Sequence, residues 1–539
     1  MSNQLSKSHL NWMGGTSFDI TNPLLQLRVA ASSCFFGEPQ FYHQDAEDKR
    51  PSRKPKFSGT PSSHASKLQG EDLKRLRETL GALDPQEWRN KTPAELIESA
   101  IDDALAFDAE ATLKEAVRLR NEENMRVTPQ VILVRAAHHK AVKGTGLVRR
   151  FASEIIRRGD EPSTGLAYHI GRFGEKEPIP NSLKKAWSDA LKRFKEYDLA
   201  KYKMSGRDVK TVDVVNLVHP KSEAVSKLVK NELTLEDQSW EAIISKEGSN
   251  TESWTKALDV MGHMAMLRNL RNLTEKGVPV ELFLQKLVAG APKGKQMPFR
   301  YYSAYKALQE AGKADKRVLT ATEECLKLSL GNLPKFSGRL MALADNSGSA
   351  RGATTSSMGT MAVSTIANLT GILAAMRADE GHLGVFGDSL QTIKVNESDS
   401  VFAKLEEAEK LSSKDSGGTE NGIWLFWKEA IQKKQHWDNV FVFSDMQAGH
   451  GGLYGTDPNA YRDHLWHGRH IDVASLISAY REKVNPHVNV FLIQVAGYKG
   501  TLVPEFYART YILGGWGEGL LRFAAEMAAL VDPVKEAAE

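Results

Sequence analysis

Arg339-Leu-Met-Ala-Leu-Ala-Asp345-Asn-Ser347-Gly-Ser349-Ala350 is the stretch that decides how the chain is read. Its apolar half has the length of a buried strand, and a Gly-containing polar turn closes it. Parallel sheets place ligands at the carboxyl ends of such strands, which is where Asp345 falls. The pattern D-x-S-x-S sets one carboxylate and two hydroxyls on alternate residues of a loop, so three hard oxygen groups can face a common point. Such groups suit magnesium or manganese, with calcium a further candidate. Any polar turn contains the same residue types, so the stretch alone does not separate a cation site from a plain loop.

Two later stretches bear on that choice. Lys414-Asp-Ser-Gly-Gly-Thr419 is a Gly-rich loop offering a hydroxyl, and Asn439-Val-Phe-Val-Phe-Ser-Asp445 is a second apolar run ending in a carboxylate. In this order the three resemble the metal-ion-dependent adhesion site of von Willebrand factor A domains. The resemblance implies that Asp345, Ser347, Ser349, Thr419 and Asp445 hold a divalent cation, magnesium first. It also implies an open position on the ion that accepts a ligand, with a protein carboxylate favoured over an RNA phosphate.

Around these motifs the C-terminal part alternates strand-like and helical runs. Strands are expected at Leu340–Ala344, His382–Phe386, Val440–Phe443, Val490–Val495 and Thr510–Leu513, and helices at Met361–Met376, Ile423–Lys433, Val473–Arg481 and Gly519–Leu530. Alternation of this kind predicts a doubly wound, Rossmann-like parallel sheet. No G-x-x-x-x-G-K-[ST] loop is present, which argues against a nucleotide-driven motor. His464, His467 and His470 recur every third residue in an insertion, but no cysteine or carboxylate pair completes a tetrahedral zinc set, so a surface loop is expected there.

A chain of 539 residues is too long for one ordinary core. With 41% hydrophobic and 26% charged residues it has the composition of a soluble protein. Two cysteines, Cys34 and Cys325, cannot make a disulfide framework and point to a reducing, cytoplasmic setting. No window approaches the roughly 18 apolar residues of a membrane span. The net charge of +4 is modest, so a nucleic-acid surface has to be a local patch.

Upstream of residue 336 strand signals are scarce. Ile20 to Phe36 has helical apolar spacing, while 44–70 is polar, basic and Pro/Ser-rich and reads as a mobile loop, a solvated linker more than an RNA contact. Thr92-Pro-Ala-Glu95 is a capping box with proline at the first helical position, and Thr128-Pro129 repeats the start about 36 residues later. That period suits paired helices stacked as an α-solenoid, with a compact bundle as the alternative. The boundaries expected are therefore 1–335 for a helical domain and 336–539 for the α/β domain.

Charge in the helical part is uneven. Arg135, Lys140, Lys143, Arg149 and Arg150 form one basic run, with His138 and His139 inside it. Lys201, Lys203, Arg207 and neighbouring lysines form another, interleaved with Trp187, Phe194, Tyr197 and Tyr202. Cations neutralise phosphates and rings stack on unpaired bases, so such runs suit single-stranded RNA. A solvated helix face with core rings has the same composition.

Five passages in this part resemble the TROVE module of the Ro autoantigen family: Leu183-Lys-Lys-Ala-Trp187, Leu199-Ala-Lys201-Tyr-Lys203, Asn216-Leu-Val-His219-Pro220, Met261-Gly-His-Met-Ala-Met-Leu-Arg268-Asn269-Leu270 and Met297-Pro-Phe-Arg300-Tyr-Tyr-Ser-Ala-Tyr-Lys306. In that family the module precedes a von Willebrand A domain. The resemblance implies a HEAT-like helical-repeat ring that takes the single-stranded end of misfolded or precursor RNA, with Y RNA on the outer surface. Lys201 and His219 align with RNA-contacting positions. Ser205 stands where vertebrate members carry arginine, Arg207 lies two residues on, and the similarity is closer to the bacterial branch. There Y RNA tethers the ring to an exoribonuclease, polynucleotide phosphorylase, which makes such a nuclease an implied partner. The chain is expected to be monomeric and not itself an enzyme, since nothing sets a nucleophile beside a base. A metal-dependent RNA hydrolase and a pure protein-interaction module are the competing classes.

Overall fold

The computed structural model describes residues 8–10, 15–33, 93–202, 208–233, 239–294, 296, 298–312, 315–331, 333–352, 362–414, 420–448, 465–466, 470–495, 500–504, 507–515 and 518–529. It divides into two compact units, one built from 129–334 with 400–402, the other from 1–128, 335–399 and 403–539. One division lies near residue 335 and the other near residue 128, so the segment before residue 129 clusters with the α/β unit.

The α/β unit is organised on a six-stranded sheet. In chain order its strands are β3 (Phe336–Asp345), β4 (Ala378–Phe386), β5 (Leu390–Val395), β6 (Asn439–Ser444), β9 (Asn489–Gln494) and β11 (Thr510–Gly514). Short strands β1 (Ser8–Leu10), β2 (Thr16–Asp19) and β10 (Gly500–Thr501) pair separately, as do β7 (Leu465–Trp466) and β8 (His470–Ile471). The sheet order is β11-β9-β6-β3-β4-β5, parallel except for β5, which runs antiparallel to β4 at one edge. The five strands expected from the sequence are all present; the antiparallel edge was not foreseen.

Strands β6 and β9 are buried on both faces, as is the run Leu340–Asp345 of β3. This explains their unbroken apolar sequences, since helices cover a parallel sheet on both sides. On one side lies Val363–Met376, buried around its whole circumference. It approaches so closely that a Cβ on Gly371 would sit 2.7 Å from Leu383. Under the other face Asn421–Gln432 contributes Trp424 and Trp427, both fully buried beside Trp437 and Tyr480. Burying an aromatic side chain of this size contributes on the order of 1.5–3 kcal/mol.

The N-terminal segment joins this unit through the edge strand β11. Helix α1 (Pro23–Ser33) lies on it, and a Cβ on Gly514 would come within 2.4 Å of the Val29 carbonyl oxygen. Helices α2 (Pro93–Phe107) and α3 (Ala109–Asn121) pack on α1 in turn. Glu115 on α3, 5% exposed, accepts from Arg28 Nη2 at 2.7 Å and from Arg118 Nε at 2.8 Å. The Thr92 and Thr128 start signals therefore open helices in different units rather than successive repeats of one solenoid. The physical reason is the apolar face of α1, which finds its partner on a sheet edge more than 400 residues away in sequence.

The helical unit runs from α4 (Thr128–His138) through α5 (Leu147–Ile155), α6 (Glu161–Phe173), α7 (Asn181–Arg193), α8 (Glu196–Lys201), α9 (Thr211–Val218), α10 (Glu223–Val229), α11 (Trp240–Glu247), α12 (Thr251–Val260), α13 (His263–Glu275), α14 (Leu284–Gly294), α15 (Pro298–Glu310) and α16 (Lys316–Leu330). No strand occurs in it among the described residues. The principal helix contacts join helices one to three places apart along the chain, the local packing of a helical-repeat array. Four helices are linked in pairs by polar side-chain contacts: Arg135 on α4 donates to the hydroxyl of buried Tyr168 on α6, and Arg149 on α5 pairs with Asp189 on α7.

Candidate metal centre and nucleic-acid interface

Strands β3 and β6 are neighbours in parallel register, with Ala344 opposite Phe443. Asp345, directly after Ala344, and Asp445, two residues after Phe443, therefore emerge near one another at the carboxyl edge of the sheet. Asp345 is fully buried, and its Oδ1 accepts from the Ser347 backbone N–H at 2.8 Å. The Ser347 and Ser349 hydroxyls lie 3.0 Å apart, and Ser349 donates to Asp445 Oδ2 at 3.1 Å. Four of the five oxygen groups expected from the sequence thus converge. Thr419 lies outside the described residues.

The residue after it, Glu420, adds a group that sequence reading missed. It is 3% exposed and opens the helix Asn421–Gln432, yet its side chain does not cap that helix. It turns instead toward Ser444, whose hydroxyl donates to Oε2, and toward the Gln447 N–H at 3.2 Å. One carboxylate oxygen from each of Asp345, Glu420 and Asp445 lies within 4.8 Å of the others. An acidic residue before an apolar helix ordinarily signals a favourable helix dipole, which hid this one.

The surroundings hold the cluster rigidly. Asn346 donates its N–H to the Phe386 carbonyl, and its carboxamide exchanges two 2.9 Å hydrogen bonds with Asn368 on the covering helix. Met446, directly after Asp445, adopts the left-handed conformation at φ 64°, and its N–H is taken by the Ser444 hydroxyl at 2.8 Å. A non-glycine residue in that region stays there only when neighbours over-determine it.

Two oxygens, Asp345 Oδ2 and Asp445 Oδ1, are buried without a hydrogen-bond partner among the described residues. Burial first, then the Asp445 charge, pushes the Asp345 carboxyl up to about 7. Glu420 is raised well above the ordinary range by burial and by the two aspartates. Buried acidic oxygens that lack donors and repel one another are what a hard cation resolves. The residues present fit a divalent ion: Asp345, Asp445 and the two serine hydroxyls would hold it, with Glu420 beside them. The centre is richer in negative charge than the mostly neutral set read from the sequence. Of the histidine insertion, His464 and His467 lie outside the described residues and His470 belongs to β8.

The basic residues of the helical unit divide into several environments. Lys140, Lys143, Arg149 and Arg150 are exposed, His138 and His139 half-buried. Arg149 is paired with Asp189, and Arg150 lies over the Phe151 ring. Lys201 ends α8, exposed, with Nζ 3.2 Å from the Tyr197 hydroxyl and 5.4 Å from the centre of that ring, which is 41% exposed. His219, also exposed, terminates α9 at φ 48°. Thr211 at the head of α9 bonds the Tyr202 carbonyl, so the helix carries His219 about 12 Å away from the Lys201–Tyr202 end. Lys203 and Arg207 lie outside the described residues. One expectation is corrected: Trp187 is no stacking platform but a fully buried core residue, its indole 3.1 Å from where a Cβ on Gly165 would stand.

Residues 233–325, within the helical unit, match the TROVE domain. The helical unit thus carries a segment similar to the TROVE domain. The fold of the chain is similar to the crystal structure of the Deinococcus radiodurans RO (RSR) protein, with a TM-score of 0.55 and 16% sequence identity, covering 79% of this chain and 93% of that one. Among curated proteins none matches significantly. Both the helical unit and the α/β unit expected from the sequence are present. Among the described residues no helix is long and apolar enough to cross a membrane.

Proposed function

We propose that this protein is an RNA-binding scaffold. Its helical unit takes Y RNA on exposed cations and the single-stranded end of misfolded or precursor RNA, and presents them to an exoribonuclease such as polynucleotide phosphorylase. The observation that carries the reading is the TROVE match in the same unit that exposes Lys140, Lys143 and the Lys201–Tyr197 pair. Ammonium groups neutralise phosphates, and a half-exposed ring offers a face to a base. Lys201→Ala and His219→Ala should each weaken binding of a structured RNA with a single-stranded tail. The Lys201 variant should also reduce the salt slope by about one phosphate contact. Unchanged affinity in both removes them from the interface.

In this reading the Asp345 centre binds magnesium, or manganese or calcium, to hold the loops of the α/β unit and to receive a ligand. Three carboxylates leave a divalent-loaded centre with a net charge of about −1, which reduces the pull on a partner carboxylate and favours a neutral oxygen ligand. The same cluster is the specific observation that favours a second reading, metal-dependent RNA hydrolysis, because grouped carboxylates also serve hydrolytic metals. Incubation with labelled single-stranded RNA and magnesium decides between them. Intact RNA supports the scaffold; specific cleavage lost in Asp345→Ala establishes the hydrolase.

A further inference from the structure

His138 closes α4 with its ring stacked on Phe173, the last residue of α6, at a centroid separation of 4.1 Å and an angle of 14°. Its Nε2 lies 3.0 Å from Nδ1 of His169, whose own Nε2 lies 3.0 Å from the Glu177 carbonyl oxygen. A carbonyl only accepts, so in the neutral pair His169 carries its hydrogen on Nε2 and accepts at Nδ1. His138 must then donate from Nε2. Its lone pair is left on Nδ1, which has no partner among the described residues and is not enclosed. Burial first, then His169, disfavour the imidazolium of His138; Glu177 opposes them and Arg135 adds to them, and the balance lies with the neutral form. The relay thus fixes a hydrogen-bond acceptor, in one tautomer and one orientation, close in the chain to exposed cations. Exposed Lys140 and Lys143 follow directly in the chain.

We propose that His138 Nδ1 accepts a hydrogen bond from a ribose 2′-hydroxyl, so that the helical unit distinguishes RNA from DNA. The inference rests on the RNA-binding reading above and adds the chemical group that is read. Lysines bind the phosphates of either nucleic acid, and the sugar is the group next to the phosphate along the backbone. A fixed acceptor within a few residues of those cations is placed to meet the sugar edge, where RNA has a donor and DNA has none.

The test compares a single-stranded RNA with DNA of the same sequence, binding the full chain by fluorescence anisotropy. The unaltered protein should prefer RNA. His138→Phe keeps a ring on Phe173 and deletes the acceptor; it should weaken RNA about fivefold, the size of one hydrogen bond, and leave DNA unchanged. A scan of single 2′-deoxy substitutions in the RNA provides a readout that does not depend on the variant folding. At least one position should cost the unaltered protein a similar factor, and where the variant folds, that cost should vanish in it. Equal loss of RNA and DNA, no loss, or a scan in which no ribose position matters overturns the assignment, as does an effect that follows base identity alone. A chain that binds neither nucleic acid removes the RNA-binding reading itself, whereas one that binds both equally well sinks only the role of His138.

Discussion

Replacing Glu420 by glutamine tests whether the three carboxylates at the sheet edge act as one cation centre. Without a divalent ion, an oxygen of each lies within 4.8 Å of the other two. Two unit charges at that distance repel by about 3.5 kcal/mol at an effective dielectric constant near 20. Glu420 takes part in two of the three pairs, so full ionisation would cost the fold roughly 7 kcal/mol through this residue. Part of that is relieved because Asp345, pushed up to about 7 by burial and Asp445, shares retained protons with Glu420 near neutrality. A net gain of about 2–4 kcal/mol is therefore expected for Glu420→Gln in chelator at pH 7.5. For a unit of this size that raises the melting temperature by roughly 3–6 °C. A glutamine oxygen in the place of Oε2 keeps the bonds from Ser444 and Gln447, so the change tests charge rather than packing. In saturating magnesium the gain should shrink or reverse, because the unaltered centre then has the greater attraction for the ion. Differential scanning calorimetry of the full chain, in chelator and in magnesium, reads both arms. A variant that melts lower in chelator, with an undiminished response to magnesium, would refute the reasoning and reduce Glu420 to a hydrogen-bond acceptor for the 444–447 turn.

Two further outcomes concern the frame. His263 sits between the Leu287 carbonyl, 2.9 Å from Nδ1, and the Tyr301 hydroxyl, 2.9 Å from Nε2, and burial lowers its pKa. A depressed histidine contributes stability that is complete above its unfolded pKa of about 6.5 and is lost as pH falls through the folded value, by up to about 1.4 kcal/mol per unit. Urea midpoints of the helical unit should fall between pH 7.5 and 5.5, and less steeply in His263→Gln; equal slopes in both proteins would exclude this residue. Gly514→Ala places a Cβ about 2.4 Å from the Val29 carbonyl, which forces α1 off the sheet edge. A loss of about 1–3 kcal/mol is expected, with faster proteolysis within 15–33, and protection equal to that of the unaltered chain would mean that α1 adjusts without strain.

What the amino-acid sequence determined by itself was the part written in local pattern. Apolar runs such as Leu340–Ala344 and Val440–Phe443 are long enough to mark buried parallel strands, and the polar residues ending them mark the edge where Asp345 and Asp445 meet. Helix starts at Pro93 and Thr128 were legible because caps and prolines act within one turn. β5 was not, because its alternation is interrupted by exposed Gln391 and Thr392, and Val401–Lys414 escaped as a helix for want of a start signal. Tertiary structure decided everything that depends on residues meeting from different elements. Only packing shows that α1 covers β11, that Trp187 is core, that Glu420 turns from its own helix toward Ser444, and that His138 and His169 form a relay fixing one tautomer. Periodicity states which face of an element is apolar. It carries no information about which distant surface that face will find, and a carboxylate or imidazole acquires its chemistry from that surface.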